Sequence, residues 1–501
     1  MFAQNNALKT SHSLATLELS ECLFLRSAAV LGVVALGALQ ALLKVVPVDL
    51  GNNVSASKAD DEIAGDTSLE NTNDRLQGRY DHGSELEAEE RPEDFHSPEW
   101  RKRSRHFLVL SSAGKPIYSR YGDESHLSTL MSAIQAIIST FADMSDPVRS
   151  MTVGSHTLVF YTNGPLYLLA VSDRGDPEDL LRNELQILHS QIVSILTSAQ
   201  LTKIFEQRSN FDLRQLLGGT ETIIDQLVDR MDTDFTFLLG SLDTLWIRYR
   251  LRDRIGKALL ASRPKGLLYA MMVADMKLVT LMRPRKHSLH PSDLHLLFNM
   301  SSSKNFATGE HWTPVCFPKF NDKGFLHVYL NYITPSVAIM LVSADRDSFS
   351  TISKYCQNIA EDLSTDDSLN RLDDAATQRA LRPRELGVSG LLQLYYRHKT
   401  LVQHFGTRFE QSVDSDQQRR IISTYKRMRL YMTKGGPNPL RIIYHRSAED
   451  TVLAWQSSAF ELYAAVEPLM DVKVMIRLVN TVLEWIKNEE DHLFVINAPS
   501  Y

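Results

Sequence analysis

His287, His290 and His295, clustered in RKHSLHPSDLH, are the nearest approach in this sequence to a metal-binding set. A zinc or similar ion needs ligands converging on one point. Pro291 breaks the helical face that would gather these imidazoles, so the stretch reads as a solvated loop and no metal is expected. Gly387-Val388-Ser389-Gly390 lacks the spacing that lifts a nucleophilic serine onto a strained elbow and reads as a turn entering a strand. The chain has no GxxxxGK[ST] phosphate loop, no GxGxxG after a strand and no HExxH. Cys22, Cys316 and Cys356 show no CxxC spacing, and an odd, sparse set suits a reducing compartment. Bond-making chemistry therefore has no residues to carry it, and neither an enzyme nor a cofactor is expected.

Cationic clusters offer a different chemistry, the binding of anionic headgroups or phosphates. They fall at 101–105 (RKRSR), at Arg283, Arg285 and Lys286, and at 419–429 (RRIISTYKRMR). Helical spacing in the last would gather Arg419, Arg420, Lys426, Arg427 and Arg429 into a broad basic surface suited to a membrane. The plainer reading of any such run is a solvated face. The whole chain carries 54 Lys and Arg against 60 Asp and Glu, a formal charge of −6, which gives no global footprint for nucleic acid.

The elements that hold these residues follow from hydrophobic periodicity. At 501 residues the chain exceeds what one core supports, so two to four domains are expected. Residues 22–46 form an apolar stretch interrupted by Arg26, Gln40 and Lys44, near the short limit of a membrane span. A buried or interfacial helix, a signal anchor and a mistaken gene start all remain open for it. Residues 52–99 are polar and acidic, cannot offset chain entropy by apolar burial, and read as a disordered linker.

From Arg101 the sequence reads β-β-α-β-β-β-α. A hairpin turns at Ala113-Gly114-Lys115-Pro116, and Leu127, Leu130, Met131, Ile134, Ile137, Ile138 and Phe141 mark one helix face. Two later strands are joined at Asn163-Gly164. The same order returns twice, with a final short strand expected at 493–496. The resulting division is an apolar segment at 1–50, an acidic linker at 51–100, modules at 101–255, 264–365 and 388–501, and a charged link at 366–387. Each module reads as a five-stranded antiparallel sheet with flanking helices, an α+β plan within the broad α/β class. Sheets so sparsely covered leave open edges, which favours an obligate partner.

The blocks SSAGKPIYSRYGDES, LMSAIQAIIST, FYTNGPLYLLAVSDRGDPEDLLRNELQILHSQIVSILT and HWTPVCFPKFNDKGFLHVYLNYI closely resemble the SAND, or monensin-sensitivity, vacuolar fusion family. The resemblance covers residues 101–501 and not 1–99. It implies three longin domains and a subunit that pairs with a second tri-longin protein, the calcium-caffeine-zinc sensitivity protein. It further implies that the pair exchanges nucleotide on a late-endosomal Rab GTPase, is recruited by an early-endosomal Rab and by phosphatidylinositol 3-phosphate, and resides in the cytosol and on endosomal and lysosomal or vacuolar membranes. By the family's arrangement the GTPase-facing surface belongs to the first longin domain. The residues expected there are Lys115, Pro116, Ile117 and Tyr118 of the first hairpin with Ser132 and Gln135 of the following helix. Ile117 and Tyr118 are equally readable as core or edge strand. A longin adaptor or tether, a receptor anchored through 23–46 and a planar-cell-polarity relative of similar plan are the alternatives.

Overall fold

The computed structural model of the chain describes residues 100, 102–122, 127–143, 146–378, 381–434 and 439–501. The apolar stretch 22–46 and the acidic stretch 52–99 lie outside the described residues, as does Cys22.

The first domain is built from strands β1 (Arg105–Ser111) and β2 (Pro116–Ser119), helix α1 (Ser128–Asp143), strands β3 (Ser150–Val153), β4 (His156–Asn163) and β5 (Leu166–Ser172), and helix α2 (Glu178–Leu196). A connecting region follows: α3 (Ser198–Gln207), α4 (Arg214–Leu217), α5 (Glu221–Thr233), α6 (Thr236–Leu239), the short strand β6 (Leu242–Asp243) and α7 (Tyr249–Leu260). The second domain contains β7 (Leu267–Ala274), β8 (Lys277–Met282), α8 (Pro291–Ser301), β9 (Glu310–Phe317), β10 (Asn321–Tyr332), β11 (Val337–Ser343), α9 (Phe349–Thr365) and α10 (Ser368–Gln378). The third contains β12 (Leu391–His398), β13 (Gln403–Gly406), α11 (Ser415–Lys434), β14 (Ile442–Arg446), β15 (Thr451–Gln456), β16 (Phe460–Val466), α12 (Val472–Asn488) and α13 (Glu490–Leu493).

The first two sheets run β2-β1-β5-β4-β3 and β8-β7-β11-β10-β9, and the third runs β13-β12-β16-β15-β14 with β6 added outside β13. The spatial order is thus the same three times over. Every pairing of named strands is antiparallel except β13 with β6.

Alternation along the strands explains why both faces of each sheet are apolar. In β1, Phe107 and Val109 face the core shared with α2, while Leu108 and Leu110 face the core shared with α1. In β16, Leu462, Ala464 and Val466 pack toward α12, whereas Tyr463 and Ala465 pack toward α11. Strands covered on both sides lose the polar-out pattern and read as continuous apolar runs.

Four local expectations are corrected. The β4–β5 turn is Gly164-Pro165, since Asn163 pairs with Leu166; proline's fixed negative φ leaves the left-handed position (φ 58°) to Gly164. At the expected last strand 493–496 only Leu493 is in regular structure, as the end of helix α13, and the Val495 amide donates to Gln403 Oε1 at 2.8 Å rather than joining a ladder. The expected link at 366–387 is folded: Leu372 and Ala376, one helical turn apart in α10, are buried in the core of the second domain. The expected first-domain boundary at 255 cuts through helix α7, which sends Ile255 and Leu259 into that same second core.

The connecting region binds the domains into one body. Leu242 N donates to Val402 O and Thr244 N to His404 O, each at 3.1 Å, while Leu245 N donates to Leu278 O at 3.0 Å. Segment 242–245 therefore fills the space between the β13 edge of the third sheet and the β8 edge of the second. Residues 499–501 pair with 283–285, with Arg283 N to Pro499 O at 3.1 Å and Arg285 N to Tyr501 O at 3.2 Å. Between the first and second domains, Ser198 Oγ donates to the backbone and side chain of Asp322 at 2.9 and 2.8 Å.

Candidate functional site

The residues expected from sequence to face a partner lie at and beside the tip of the first hairpin. Ser111 N donates to Lys115 O at 2.8 Å, and Lys115 N donates back to Ser111 Oγ at 3.1 Å. Gly114 closes the turn at φ 78°, where a Cβ would stand 3.3 Å from the Gln135 side chain. Gln135 Nε2 in turn donates to Ser112 O at 3.3 Å, which fixes α1 against the hairpin. Lys115, Pro116 and Gln135 are half-buried and Ser132 is exposed, with its hydroxyl returned to Ser128 O at 2.8 Å. Lys115 also helps hold the Asp212 carboxyl below its ordinary range, after the larger effect of the Arg214 hydrogen bond.

Ile117 and Tyr118, expected on that surface, are core residues with 4% and 2% exposure. The Tyr118 hydroxyl donates to Asp225 Oδ1 at 2.6 Å, and burial pushes its pKa well above the ordinary value, with Asp225 adding to the rise. A strand flanked by helix α5 has no free face at these positions. The accessible part of the expected site is Lys115, Pro116, Ser132 and Gln135.

The basic helix is also divided. α11 packs through Ile421, Ile422, Tyr425, Met428 and Met432. Lys426 stands four residues after Ile422 and Arg429 four after Tyr425, so both fall on the buried side. Lys426 donates to the carbonyls of Met231 and Asp232, and Arg429 Nε lies 3.4 Å from Glu461. Neither can belong to a basic membrane surface as expected. Arg419, Arg420 and Arg427 remain exposed, the first two paired with Asp416 at 3.2 Å and Glu449 at 2.6 Å. Arg285 and Lys286 are exposed, while Arg283 is half-buried beside residues 499–501.

The three histidines do not converge. His290 caps α8 by accepting from Ser292 N at 3.2 Å, and His287 is exposed. His295 is buried and donates through Nε2 to Ser241 O at 2.8 Å. Ser241 Oγ shares a 3.0 Å hydrogen bond with Nδ1 of His404, so one connector serine joins an imidazole of the second domain to one of the third. Arg252 does similar work, donating to Val279 O and Leu245 O at 2.8 Å and to His492 O at 2.6 Å. Partners this far apart in sequence leave no local signal from which to find them. Cys316 and Cys356 are free and buried. Among the described residues no group of three or more His, Cys, Asp or Glu side chains could hold a metal ion, and no helix is long and apolar enough to cross a membrane.

The thrice-repeated sheet order corresponds to three matched domains. Family profiles described as the first, second and third longin domains of FUZ, MON1 and HPS1 match residues 105–227, 265–361 and 390–490. A vacuolar fusion protein MON1 from Cryptococcus neoformans var. neoformans serotype D is 37% identical over 405 residues, covering 79% of this chain and 65% of that protein. The chain thus spans somewhat under two thirds of that relative. Vacuolar fusion protein MON1 homolog A of Gallus gallus is 36% identical over 427 residues, 84% of this chain and 77% of its own length. Protein SAND of Takifugu rubripes is 34% identical over 419 residues, 83% and 80% of the two chains. The chain belongs to the MON1/SAND family and carries its three longin domains.

Proposed function

We propose that the chain acts in vacuolar and endosomal fusion, as one subunit of a heterodimeric exchange factor for a late-endosomal Rab GTPase. The observation that carries this reading is the architecture, three longin domains shared with relatives that are themselves named vacuolar fusion proteins. The second subunit is a tri-longin partner, the calcium-caffeine-zinc sensitivity protein. Recruitment is peripheral, by an early-endosomal Rab and by membranes bearing phosphatidylinositol 3-phosphate. The exposed Arg419, Arg420, Arg427, Arg285 and Lys286 are the cations available for that contact.

Exchange requires no bond-making residue. A factor that binds the empty GTPase more tightly than the loaded one must weaken nucleotide binding by the same ratio. Differential contact with the switch segments supplies the difference. Lys115, Ser132 and Gln135, with the ring of Pro116, offer the accessible surface for it. The terminal strand β3 offers an edge to which a partner sheet can add.

A longin adaptor or tether is the second reading. It is favoured by a particular feature, the terminal strand β14, whose first residue Ile442 is 48% exposed and is preceded by Leu440 at 51%. Release of fluorescent GDP from the late-endosomal Rab separates the two. Acceleration by the co-purified pair, lost with Lys115→Glu, supports exchange. Stable capture of the loaded GTPase with no release of nucleotide supports the adaptor and overturns the exchange reading.

A further inference from the structure

Ser104 immediately precedes the first strand and directly follows Arg101-Lys102-Arg103 in the sequence. Its hydroxyl accepts from Arg174 Nε at 2.6 Å, and its carbonyl accepts from Asp173 N at 3.1 Å. The side chain is half-buried at the rim of a cleft of about 410 Å³ between the first and third domains. Five cations line that cleft: Arg105 and Arg174 from the first domain, and Arg419, Arg420 and Lys426 from α11 of the third. Three acids, Asp176, Asp232 and Asp416, leave an excess of two positive charges, which buried Glu184 behind Arg105 reduces to one.

We propose that Ser104 is a phosphorylation site for a basic-directed protein kinase, and that its phosphate ties the first domain to α11 of the third across this cleft. In the transfer, Ser104 Oγ forms a bond to the γ-phosphorus of a nucleoside triphosphate. The bond from that phosphorus to the bridging oxygen breaks, the nucleoside diphosphate leaves with the electron pair, and the hydroxyl proton passes to the kinase's catalytic carboxylate. Three consecutive cations before the hydroxyl complement an acidic kinase groove. Lys102 and Arg103 are exposed, so the approach is on the surface.

The product fits the cleft electrostatically. A phosphoserine carries about −1.5 to −2 charge with three acceptor oxygens, more than the remaining excess of one, so it must draw cations away from carboxylates they now pair with. Arg174 already reaches the Ser104 oxygen and exchanges a neutral acceptor for a charged one. Arg427 of α11 already donates to the Arg174 carbonyl at 3.3 Å, so the helix stands beside the new anion. Arg419 and Arg420 pair with exposed carboxylates, with which the phosphate competes. The inference is independent of the exchange reading, since it concerns only how the first and third domains are held.

The test treats the full chain with ATP and a basic-directed serine kinase, beside Ser104→Ala and the double variant Arg419→Ala/Arg420→Ala. Mass spectrometry is expected to find phosphate on Ser104 of the folded chain, and amide exchange in 415–434 is expected to slow about tenfold. The double variant is expected to take the phosphate without that slowing. Modification of Ser104 only after urea unfolding overturns the site. Full modification of the folded chain with unchanged exchange in 415–434 overturns the tie.

Discussion

Lys426 of the third domain places its ammonium 3.7 Å from the Glu184 carboxylate of the first, with only 5% and 2% of the two side chains exposed. Arg105 bonds the same carboxylate from β1 and also pairs with Asp176 at 3.3 Å and Asp232 at 3.1 Å. Three cations counting Arg174, and three acids, thus meet where two domains that are distant in sequence join. Burial lowers the Lys426 pKa while Glu184 pulls it back, so the position is costly and is retained by its partners.

Lys426→Met is expected to destabilise the protein by about 3 kcal/mol, because it leaves Glu184 to Arg105 alone and strips the Met231 and Asp232 carbonyls of a donor. A urea midpoint measures it. Glu184→Gln in the same background is expected to recover part of the loss, and two independent losses that simply add would contradict the pairing.

Arg252 satisfies backbone carbonyls from the second domain, the connector and α13 together. Arg252→Met is expected to cost roughly 2–4 kcal/mol, since buried acceptors left without donors carry their full desolvation penalty. Hydrogen exchange should rise first in 242–247, the segment lying between the second and third sheets. Uniform acceleration across all three domains would locate the effect elsewhere.

Acid should loosen the Ser241 junction. Burial lowers both His295 and His404 from 6.5 to about 4. The unfolded chain therefore takes up protons at these two sites at a higher pH than the folded one. Their contribution is complete above pH 6.5 and is lost as pH falls toward 4, with a limit on the order of 3 kcal/mol per imidazole. Thermal melts from pH 7 to pH 4 test this, and His404→Gln should flatten the lower part of the curve.

Two hairpin neighbours should separate stability from binding. Tyr118→Phe loses the Asp225 hydrogen bond and is expected to cost about 1 kcal/mol while leaving any GTPase contact intact, because the ring is inside. Lys115→Glu is expected to change stability by under about 0.5 kcal/mol and to abolish pair-dependent GDP release. The reverse pattern would place the partner surface elsewhere.

The expected helix face of α1 shows how much of the fold could be read directly. Leu127, Leu130, Met131, Ile134, Ile137 and Ile138 are all buried in one core, since a helix that packs against a sheet must keep its apolar residues at that spacing. The first hairpin and the order of strands along the chain were legible from turn residues and apolar runs. Legibility failed where a residue's environment is supplied by a remote segment. Lys426 and Arg429 read as surface because charged residues usually are, and only packing against α2, α5 and β16 shows them turned inward. Residues 366–387 read as a link because their charges outnumber their apolar groups, yet Leu372 and Ala376 suffice to seat α10 on the second sheet.

By itself the sequence determined three sheet-and-helix units and their order along the chain, because periodicity and turn chemistry act over a few neighbouring residues. Only the tertiary structure decided how the units join: segment 242–245 between the β8 and β13 edges, Ser241 between two imidazoles, and Glu184 shared by Arg105 and Lys426. Those contacts bring together groups far apart along the chain, and their stability depends on exclusion of water, which exists only once the domains have closed on one another.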